Sequence, residues 1–347
     1  MLKYKTVYLL IFLLFLFSSS LFSQVGLPDS SKTLAADTTV IPLQKNEQAY
    51  TVNNGRTFIY KKPGAFGFIT KLPHDAGGIV VTTFKKESIK PLLLIGSATV
   101  ALMFADQSIL NGIRQFSGNI HFHSEEDYRD IIKIKAGKTG ISIYKAPKNL
   151  NTAFYQLGQG FPGLLIGAGL FTYGKIHNDY RALSTASQLA ETFILMGVGT
   201  QLLKRITGRQ SPSNAFDDKG GKWQFFPSFK NYQTNTPNFD AFPSGHLATL
   251  MSTVTILAEN YPEKRYIKPV GYSVIGLVGL SMLNNNVHWI SDYPLAIALG
   301  YLCARQVVKR NRKTVETVSS KKAKGELSYT LNYSFGRLMP GVIYKFL

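Results

Sequence analysis

Two histidines, an aspartate and a lysine are the residues of this chain whose types and spacing could do chemistry. His288 and Asp292 are four residues apart, so on a helical turn they share one face. A carboxylate that accepts a hydrogen bond from one imidazole nitrogen fixes the tautomer and leaves the other nitrogen free to attack an electrophile. The alternative is that Asp292 caps a helix beginning at Tyr293, and it could do both jobs.

The run Pro243-Ser244-Gly245-His246 predicts a helix start that binds an anion. Pro243 ends the preceding chain, Ser244 can cap the helix, and Gly245 lets backbone N–H groups approach an anion closely. The unpaired N–H groups of a helix start and its positive dipole end favour phosphate. For this run taken alone, the alternative is an ordinary serine cap with an incidental histidine.

A basic helix end is the third part of the predicted site. Lys204 ends an apolar stretch and Arg209 follows it, so this helix end could clamp a phosphoryl group. The alternative is that Lys204 only complements the negative end of the helix dipole.

Apolar stretches predict the helices that must position these residues. Six stretches between residues 89 and 308 are helical candidates: Pro91–Ala105, Ala153–Gly174, Glu191–Leu203, Leu247–Ala258, Pro269–Val287 and Tyr293–Ala304. Short connections make successive helices antiparallel neighbours, so the end of the third, the start of the fourth and the end of the fifth fall at one end of the bundle. The motifs lie at those three places. We expect an all-α six-helix bundle that gathers them into one site.

The segments outside this helical domain differ in character. Residues 1–23 predict a signal peptide, residues 24–88 a polar segment of loops and short irregular structure, residues 309–325 a basic linker and residues 326–347 a small β-hairpin. Only the second and fifth helical stretches hold an uncharged run long enough to predict a membrane span from length alone. The other four could be spans with polar ends or buried helices of a globular bundle.

The formal net charge of +19 raises the question of nucleic-acid binding. The lysines and arginines are scattered and no nucleic-acid motif accompanies them, so the expected partners are membrane lipids and a phosphorylated substrate. One cysteine, Cys303, excludes an internal disulfide framework and a cysteine metal cluster. The alternate spacing of His121 and His123 is weak evidence for a metal, and a polar loop is the expectation. We expect no metal and no cofactor.

The ordered motifs resemble those of the type 2 phosphatidic acid phosphatase and vanadium haloperoxidase superfamily. That superfamily carries Lys-x6-Arg-Pro, then Pro-Ser-Gly-His, then Ser-Arg-x5-His-x3-Asp, and the resemblance covers roughly residues 90–308. It implies a helical bundle and metal-independent hydrolysis of phosphomonoesters. It further implies that His288 is the nucleophile that forms a phosphohistidine, that Asp292 orients it and that His246 protonates the leaving alcohol. The phosphate ligands that it implies are Lys204, Ser244 and the Gly245 amide.

Two positions depart from the superfamily pattern. Ser211 stands where the first motif has its arginine, and Met282 stands where the third has its arginine. Both arginines are phosphate ligands in the superfamily, so their replacement removes charge stabilisation from the site. The candidate compensations are Arg209, Lys222 and the amides of residues 284–286.

The expected function is therefore hydrolysis of a phosphomonoester or lipid (pyro)phosphate through a phosphohistidine, with activity that the missing arginines reduce. One alternative is a non-catalytic or weakened protein of this fold that binds lipid phosphates. A less favoured alternative is a vanadate-dependent haloperoxidase, because vanadate binding should also need the missing positive ligands.

A long aromatic-rich loop, residues 213–242, joins the third and fourth predicted helices and would hang over the site. Its aromatic residues suit either a lid or lipid-contacting surface, or a small aromatic core that packs the loop down.

The predicted signal peptide implies export to the cell envelope. Six spans counted from an exported N-terminus would put the site on the cytoplasmic side, whereas integral-membrane members of the superfamily work on the outer side. We expect a membrane-associated bundle whose site faces the periplasm.

Overall fold

The computed structural model describes residues 42–52, 56–122, 124, 126–136, 139–215, 220–316, 326–334 and 337–345. The predicted signal peptide, residues 1–23, lies outside the described residues. Residues 317–325 of the predicted linker also lie outside them.

Helices make up most of the described chain. They are α1 (Gly67–Thr70), α2 (Leu72–Thr83), α3 (Lys86–Met103), α4 (Asp106–Asn119), α5 (Leu150–Gly158), α6 (Gly160–Ile176), α7 (Tyr180–Thr207), α8 (Phe229–Thr234), α9 (Gly245–Asn260), α10 (Ile267–Asn284) and α11 (Tyr293–Asn311). The strands are β1 (Glu47–Val52), β2 (Arg56–Lys61), β3 (Tyr128–Ala136), β4 (Thr139–Pro147), β5 (Arg312–Glu316), β6 (Glu326–Ser334) and β7 (Arg337–Lys345).

Helices α7, α9 and α11 form the centre of the bundle, and α6 and α10 pack against them. A close backbone approach joins α9 to α11: a Cβ added at Gly300 would lie 2.3 Å from the carbonyl oxygen of Ala248. Only glycine, which has no Cβ, permits this approach. It holds the first turn of α9 against α11 about two turns after its start, and both helices begin at a predicted motif.

Helix α7 is longer than the sequence predicts. It begins at Tyr180 rather than Glu191, with the Asp179 side chain accepting a hydrogen bond from the Ala182 N–H at 2.8 Å. Its first half buries polar side chains that find partners inside the protein; the Arg181 guanidinium, for example, pairs with a Glu263 carboxylate oxygen at 2.7 Å. These paired residues interrupt the apolar pattern from which the helix start was predicted. The helix ends at Gly208, whose φ of 51° is left-handed, and this stop fixes Lys204 in the last turn.

The predicted helix Ala153–Gly174 is two helices, α5 and α6. Extended backbone at Gln159, with φ −69° and ψ 152°, separates them. The short helices α1, α2, α4 and α8 were also not predicted, so the expected six-helix count is too low and the fold is mostly helical rather than all-α.

The structure contains a three-stranded antiparallel sheet, ordered β1–β2–β5. Strands β1 and β2 lie in the segment predicted as irregular, residues 24–88, and β5 lies in the segment predicted as a basic linker, residues 309–325. Strand β2 has four successive buried residues, so it lacks the alternation that identifies a strand. The Tyr60 hydroxyl donates to the side-chain oxygen of Asn260, at the last residue of α9, over 2.9 Å. The sheet therefore lies at the opposite end of the bundle from the start of α9. We call the two ends the sheet pole and the motif pole.

Two further antiparallel hairpins are present. Strands β6 and β7 pair at the position of the predicted C-terminal hairpin. Strands β3 and β4 form a hairpin that was not predicted, with register irregularities between Asp130 and Lys133.

By length and composition, one helix of the described chain, Ile267–Asn284, could cross a membrane. Helices α3 and α4 pass the same test only as a pair, and they are bent by 67° at the break between them.

Candidate active site

The three motifs meet at the motif pole, as the antiparallel order of successive helices predicts. The Ser244 N–H donates to the main-chain oxygen of Asp292 at 3.2 Å. The rings of His246 and His288 lie 6.0 Å apart between centroids, at an interplanar angle of 73°. Lys204, at the end of α7, is buried beside them and lowers the pKa of His246 by its charge.

His288 is held by a backbone carbonyl. Its Nδ1 lies 2.7 Å from the Ala241 oxygen and 3.4 Å from Oδ2 of Asp292. Because a carbonyl oxygen only accepts, Nδ1 must carry the hydrogen, and the lone pair of the neutral ring is on Nε2. The sequence assigned the fixing of this ring to Asp292, but Ala241 makes the shorter contact. A main-chain oxygen has no sequence signature, so sequence reasoning missed it.

Asp292 faces His288, but its side chain makes no capping hydrogen bond to α11, so the predicted cap of the helix beginning at Tyr293 is not observed. Its Oδ2 accepts a hydrogen bond from the Trp289 N–H at 2.8 Å, which caps the turn before α11. The same oxygen faces His288. Oδ1 accepts from the Arg209 guanidinium. The carboxylate is fully buried, so its orientation depends on these donors.

Arg209 does not lie where a phosphate could reach it. Its Nη1 donates to Asp292 and to the Ser291 hydroxyl, and its Nη2 donates to Asp106 at 2.6 Å and to the Gly220 oxygen at 2.9 Å. Both terminal nitrogens are thus occupied, and the side chain is almost completely buried. We therefore replace its predicted role as a phosphate ligand with that of a positioning residue for Asp292.

Asp106 is a functional residue that sequence reasoning missed. It begins α4, about 100 residues before the first motif. Its oxygens accept from the Ser291 N–H at 3.0 Å and from the Ser291 hydroxyl at 2.6 Å, in addition to Arg209. The buried array Asp106–Arg209–Asp292 therefore connects α4 to the support of His288.

The start of α9 has the predicted geometry. Ser244 caps the helix, its oxygen accepting from the Leu247 N–H at 3.5 Å. A Cβ added at Gly245 would meet only a Thr200 methyl carbon at 3.8 Å, an ordinary contact. Packing within the chain therefore does not require glycine at this position, and the Gly245 backbone is left open to a ligand.

The two positions without arginine are occupied in different ways. Met282 is fully buried, with its sulfur 3.5 Å from the Ser244 hydroxyl oxygen. Ser211 is buried, with its hydroxyl 3.5 Å from Oδ1 of Asp240, and Oδ2 of Asp240 lies 3.6 Å from Nζ of Lys204. Asp240 therefore balances the charge of the lysine predicted to bind phosphate. Nothing in the sequence motifs pointed to this carboxylate.

The other candidate compensations face elsewhere. Lys222 is exposed, and its main-chain N–H donates to Gln210 at 3.3 Å. The Asn284 amide donates to the Phe122 oxygen at 3.2 Å, and Asn285 contacts Asn151 of α5.

Within the described residues, no group of three or more His, Cys, Asp or Glu side chains is arranged to hold a metal. His123 lies outside those residues, and Cys303 is buried as a free thiol.

Helix α5 covers one side of His246. The ring of Tyr155 lies 4.8 Å from the imidazole, and a Cβ added at Gly158 would lie 3.1 Å from the His246 Cβ. Burial is the main cause that lowers the pKa of His246 from 6.5 to about 3, and the nearby His288 and Lys204 contribute to this shift. The imidazole is therefore neutral at neutral pH.

We expect this buried imidazole to make the protein less stable in acid. Between about pH 6.5 and about pH 3 the unfolded chain binds a proton at His246 that the folded chain does not, so stability falls as the pH is lowered through that window. His246→Gln should flatten the decline in thermal midpoint between about pH 7 and about pH 4, and the exposed His177→Gln should leave it unchanged. Equal slopes for wild type and His246→Gln would contradict the assignment.

The loop of residues 213–242 divides into an exposed and a buried half. Phe225, Phe226 and Phe229 are 64%, 73% and 73% exposed. Buried aromatic residues anchor the rest of the loop: Tyr232, Phe239 and Phe242. The Trp223 ring lies 5.2 Å from Phe242, and the Arg209 guanidinium lies 4.9 Å from Trp223. The buried half matches the small aromatic core, and for the exposed half a lid or lipid-contacting surface stays a prediction. We call residues 225–229 the aromatic tip.

Comparison with known proteins identifies related sequences. Residues 185–315 match the family model of the PAP2 superfamily. The lipid A 1-phosphatase of Porphyromonas gingivalis is 28% identical over 144 residues, which are 39% of this chain and 30% of that relative. The chain thus spans less than a third of the length of the curated relative that it matches.

Two solved structures resemble the chain more distantly. Aquifex aeolicus LpxE is 21% identical, covering 46% of this chain and 83% of its own, with a TM-score of 0.35. The transmembrane PAP2 type phosphatidylglycerolphosphate phosphatase from Bacillus subtilis is 17% identical, covering 64% and 94%, with a TM-score of 0.37.

Proposed function

We propose that the protein hydrolyses a lipid phosphate or another phosphomonoester at the motif pole, and the match of residues 185–315 to the family model of the PAP2 superfamily supports this. One observation carries the proposal. His288 presents a lone pair on Nε2 because its Nδ1 hydrogen is bonded to Ala241, and His246 lies across from it at the start of α9. A nucleophile and a proton donor thus flank the end of a helix that favours an anion.

In the first step, Nε2 of His288 bonds to phosphorus while the bond from phosphorus to the alcohol oxygen breaks. His246 gives its proton to that oxygen, and the charge of the arriving phosphate favours the imidazolium that this requires. In the second step, water attacks phosphorus, its proton passes to His246, and the N–P bond breaks to release phosphate. Lys204, the Ser244 hydroxyl and the Gly245 N–H hold the phosphate oxygens. No metal is needed in this scheme.

A lipid is the favoured substrate class because the helices carry exposed apolar side chains. Large apolar residues exposed on α3, α6 and α7 include Leu93, Leu94, Val100, Leu164, Leu165, Phe171, Val198, Leu202 and Ile206. So many exposed apolar residues on several neighbouring helices are typical of a surface that contacts lipid. The names of the relatives, a lipid A 1-phosphatase and a phosphatidylglycerolphosphate phosphatase, support the same class. We infer a cell-envelope location with the site facing the periplasm.

A phosphate-release assay tests the proposal. Purified protein is incubated with phosphatidic acid, phosphatidylglycerol phosphate, undecaprenyl pyrophosphate, lipid A and a soluble phosphomonoester, beside His288→Ala. Release from at least one lipid phosphate, lost in His288→Ala, supports hydrolysis, and acid-labile labelling of His288 supports the intermediate. No release from any substrate would overturn it.

A specific observation also favours a second candidate, a non-catalytic binder of lipid phosphates. Asp240 faces the Lys204 ammonium, and neither Ser211 nor Met282 supplies a guanidinium. For such a protein, His288→Ala would leave unchanged the binding of the protein to vesicles that contain lipid phosphates.

The aromatic tip is expected to enter the lipid interface. Phe226 donates its N–H to the Ile206 oxygen, so the tip continues the exposed apolar residues of α7. Replacing Phe225, Phe226 and Phe229 with serine should lower activity on vesicle substrates roughly tenfold or more, because apolar contact with lipid is lost. Activity on a soluble phosphomonoester should not change.

Brominated lipids provide a readout of the aromatic tip that needs no activity. Trp289 is buried, so quenching by lipid reports on Trp223, beside the tip. We expect the brominated lipids to quench Trp223 fluorescence in the wild type, and to quench it less in the triple variant. Phe66→Ser, which alters an exposed phenylalanine in the loop after β2, is the matched control. Equal quenching in all three proteins would rule out insertion of the tip.

A further inference from the structure

An apolar groove runs between α6 and α7 on the half of the bundle near the sheet pole. It encloses about 420 Å³, a volume typical of sites for small molecules. Its floor and walls include Gly163, Gly167, Ala186 and Ala190, and residues 62–65 of the loop after β2 line it together with Phe68. We call this feature the α6–α7 groove.

Small residues between two tight contacts create the groove. A Cβ at Gly163 would lie 2.4 Å from the Phe193 ring, and a Cβ at Gly174 would lie 2.7 Å from Leu183, so the helices touch at both places. Between these contacts, a Cβ at Gly167 would reach nothing closer than Leu189 at 3.9 Å. The helices therefore hold the groove open rather than fill it.

Two lysines line the groove at the sheet pole. Nζ of Lys62 lies 5.7 Å from the centre of the Tyr180 ring, and Nζ of Lys175 lies 5.4 Å from that of Phe171. No carboxylate lines the groove, and within the described residues neither lysine forms an ion pair. An apolar slot with two unneutralised cations is complementary to a molecule with an apolar chain and an anionic head.

We propose that the α6–α7 groove binds one acyl chain of an anionic phospholipid, whose phosphate contacts Lys62 and Lys175. The outer face of α6 carries exposed Leu164, Leu165 and Phe171, so the groove opens onto a surface that itself suits lipid. A helix from a second copy of the chain does not fit, because a helix with its side chains is about 10–12 Å across. An acyl chain is thinner and matches the apolar lining.

This site is separate from the catalytic one. Lys175 and Lys62 lie near the start of α7, whereas Lys204 lies in its last turn. At 1.5 Å per residue, roughly 35 Å of helix separates the two positions. The lipid of the groove is therefore not the substrate, and its binding does not depend on hydrolysis.

Lipid retention tests the site. Full-length protein in detergent is delipidated and titrated with phosphatidylglycerol or with phosphatidylcholine, and bound lipid is counted by native mass spectrometry. We expect one phosphatidylglycerol per chain held more tightly than phosphatidylcholine. Lys62→Gln with Lys175→Gln should weaken phosphatidylglycerol binding about 30-fold, since each lysine contributes on the order of 1 kcal/mol toward an anionic lipid.

Two further variants complete the test. Lys264→Gln with Lys268→Gln removes two exposed lysines near the start of α10, at the same pole, and should leave retention unchanged. Gly167→Leu fills the groove and should reduce retention of both lipids. The proposal is overturned if the groove lysine pair and the control pair give equal retention, if phosphatidylcholine binds as tightly as phosphatidylglycerol, or if the wild type is a dimer with no bound lipid. All readouts are independent of catalysis, so a failed activity assay leaves them interpretable.

Discussion

Replacing Arg209 with methionine is expected to lower the free energy of unfolding by about 3–5 kcal/mol and to abolish hydrolysis. The Arg209 guanidinium donates to Asp106 and Asp292, and both carboxylates are fully buried. Methionine fills much of the space but leaves two buried carboxylates without a cation, which is the costly way to break a buried ion pair. Asp292 would also lose the donor that orients it toward His288.

Thermal unfolding and phosphate release measure the two effects separately. Arg209→Lys should restore little of the stability or activity, because a single ammonium cannot donate to Asp106 and Asp292 in the geometry of the two guanidinium nitrogens. Asp106→Asn in the Arg209→Met background should recover part of the stability but not the activity. Arg205→Met is the control, since Arg205 is part-exposed and contacts Gln201 and Tyr232. A stable and active Arg209→Met protein would show that the array does not support His288.

Restoring arginine at the two divergent positions should produce the largest gain. Single donors to a developing anionic charge are worth on the order of 10²–10³ in rate, so Ser211→Arg with Met282→Arg should raise kcat/KM on a lipid phosphate at least about 100-fold. Met282 contacts the Ser244 hydroxyl, so a guanidinium there faces the phosphate cradle. At position 211 a guanidinium also neutralises Asp240 and frees Lys204.

Ser213→Arg adds the same charge at a nearby exposed position and should give no gain. The thermal midpoint of each variant is measured alongside its rate, because position 282 is fully buried. Two results together would favour the lipid-phosphate binder over the enzyme. The double variant would fold without a rise in kcat/KM, and His246→Ala would have no effect in any phosphatase assay.

The convergence of the motifs was predictable from the sequence because it depends only on helix order. Antiparallel packing brings Lys204, Ser244 and His288 to one end whatever the side-chain details. The supporting contacts were not predictable. The Ala241 oxygen is a main-chain atom, and Asp106 and Asp240 have partners that are distant in sequence or outside the motifs. Arg209 could be recognised as near the site, but the direction of its side chain depends on the unpredicted carboxylate of Asp106 and on Asp292.

The fold, like the site, was predictable only in part. Long apolar helices such as α9 and α10 were predicted close to their observed bounds, whereas the start of α7 was not, because its buried polar residues interrupt the pattern. The sheet strands were missed for a different reason. Burial on both faces of β2 erases the alternation, and its partner β5 follows the last helix of the bundle.

That sheet has a consequence for how the chain folds. Strand β2 pairs with β5 across about 250 residues, so closing this contact carries a large entropic cost until the helices between them are in place. Until the end of α11 is in place, β2 has an open edge. An unpaired strand edge is prone to aggregation. We therefore expect the stage between the pairing of β1 with β2 and the arrival of β5 to be the one at which the folding chain is most exposed to aggregation.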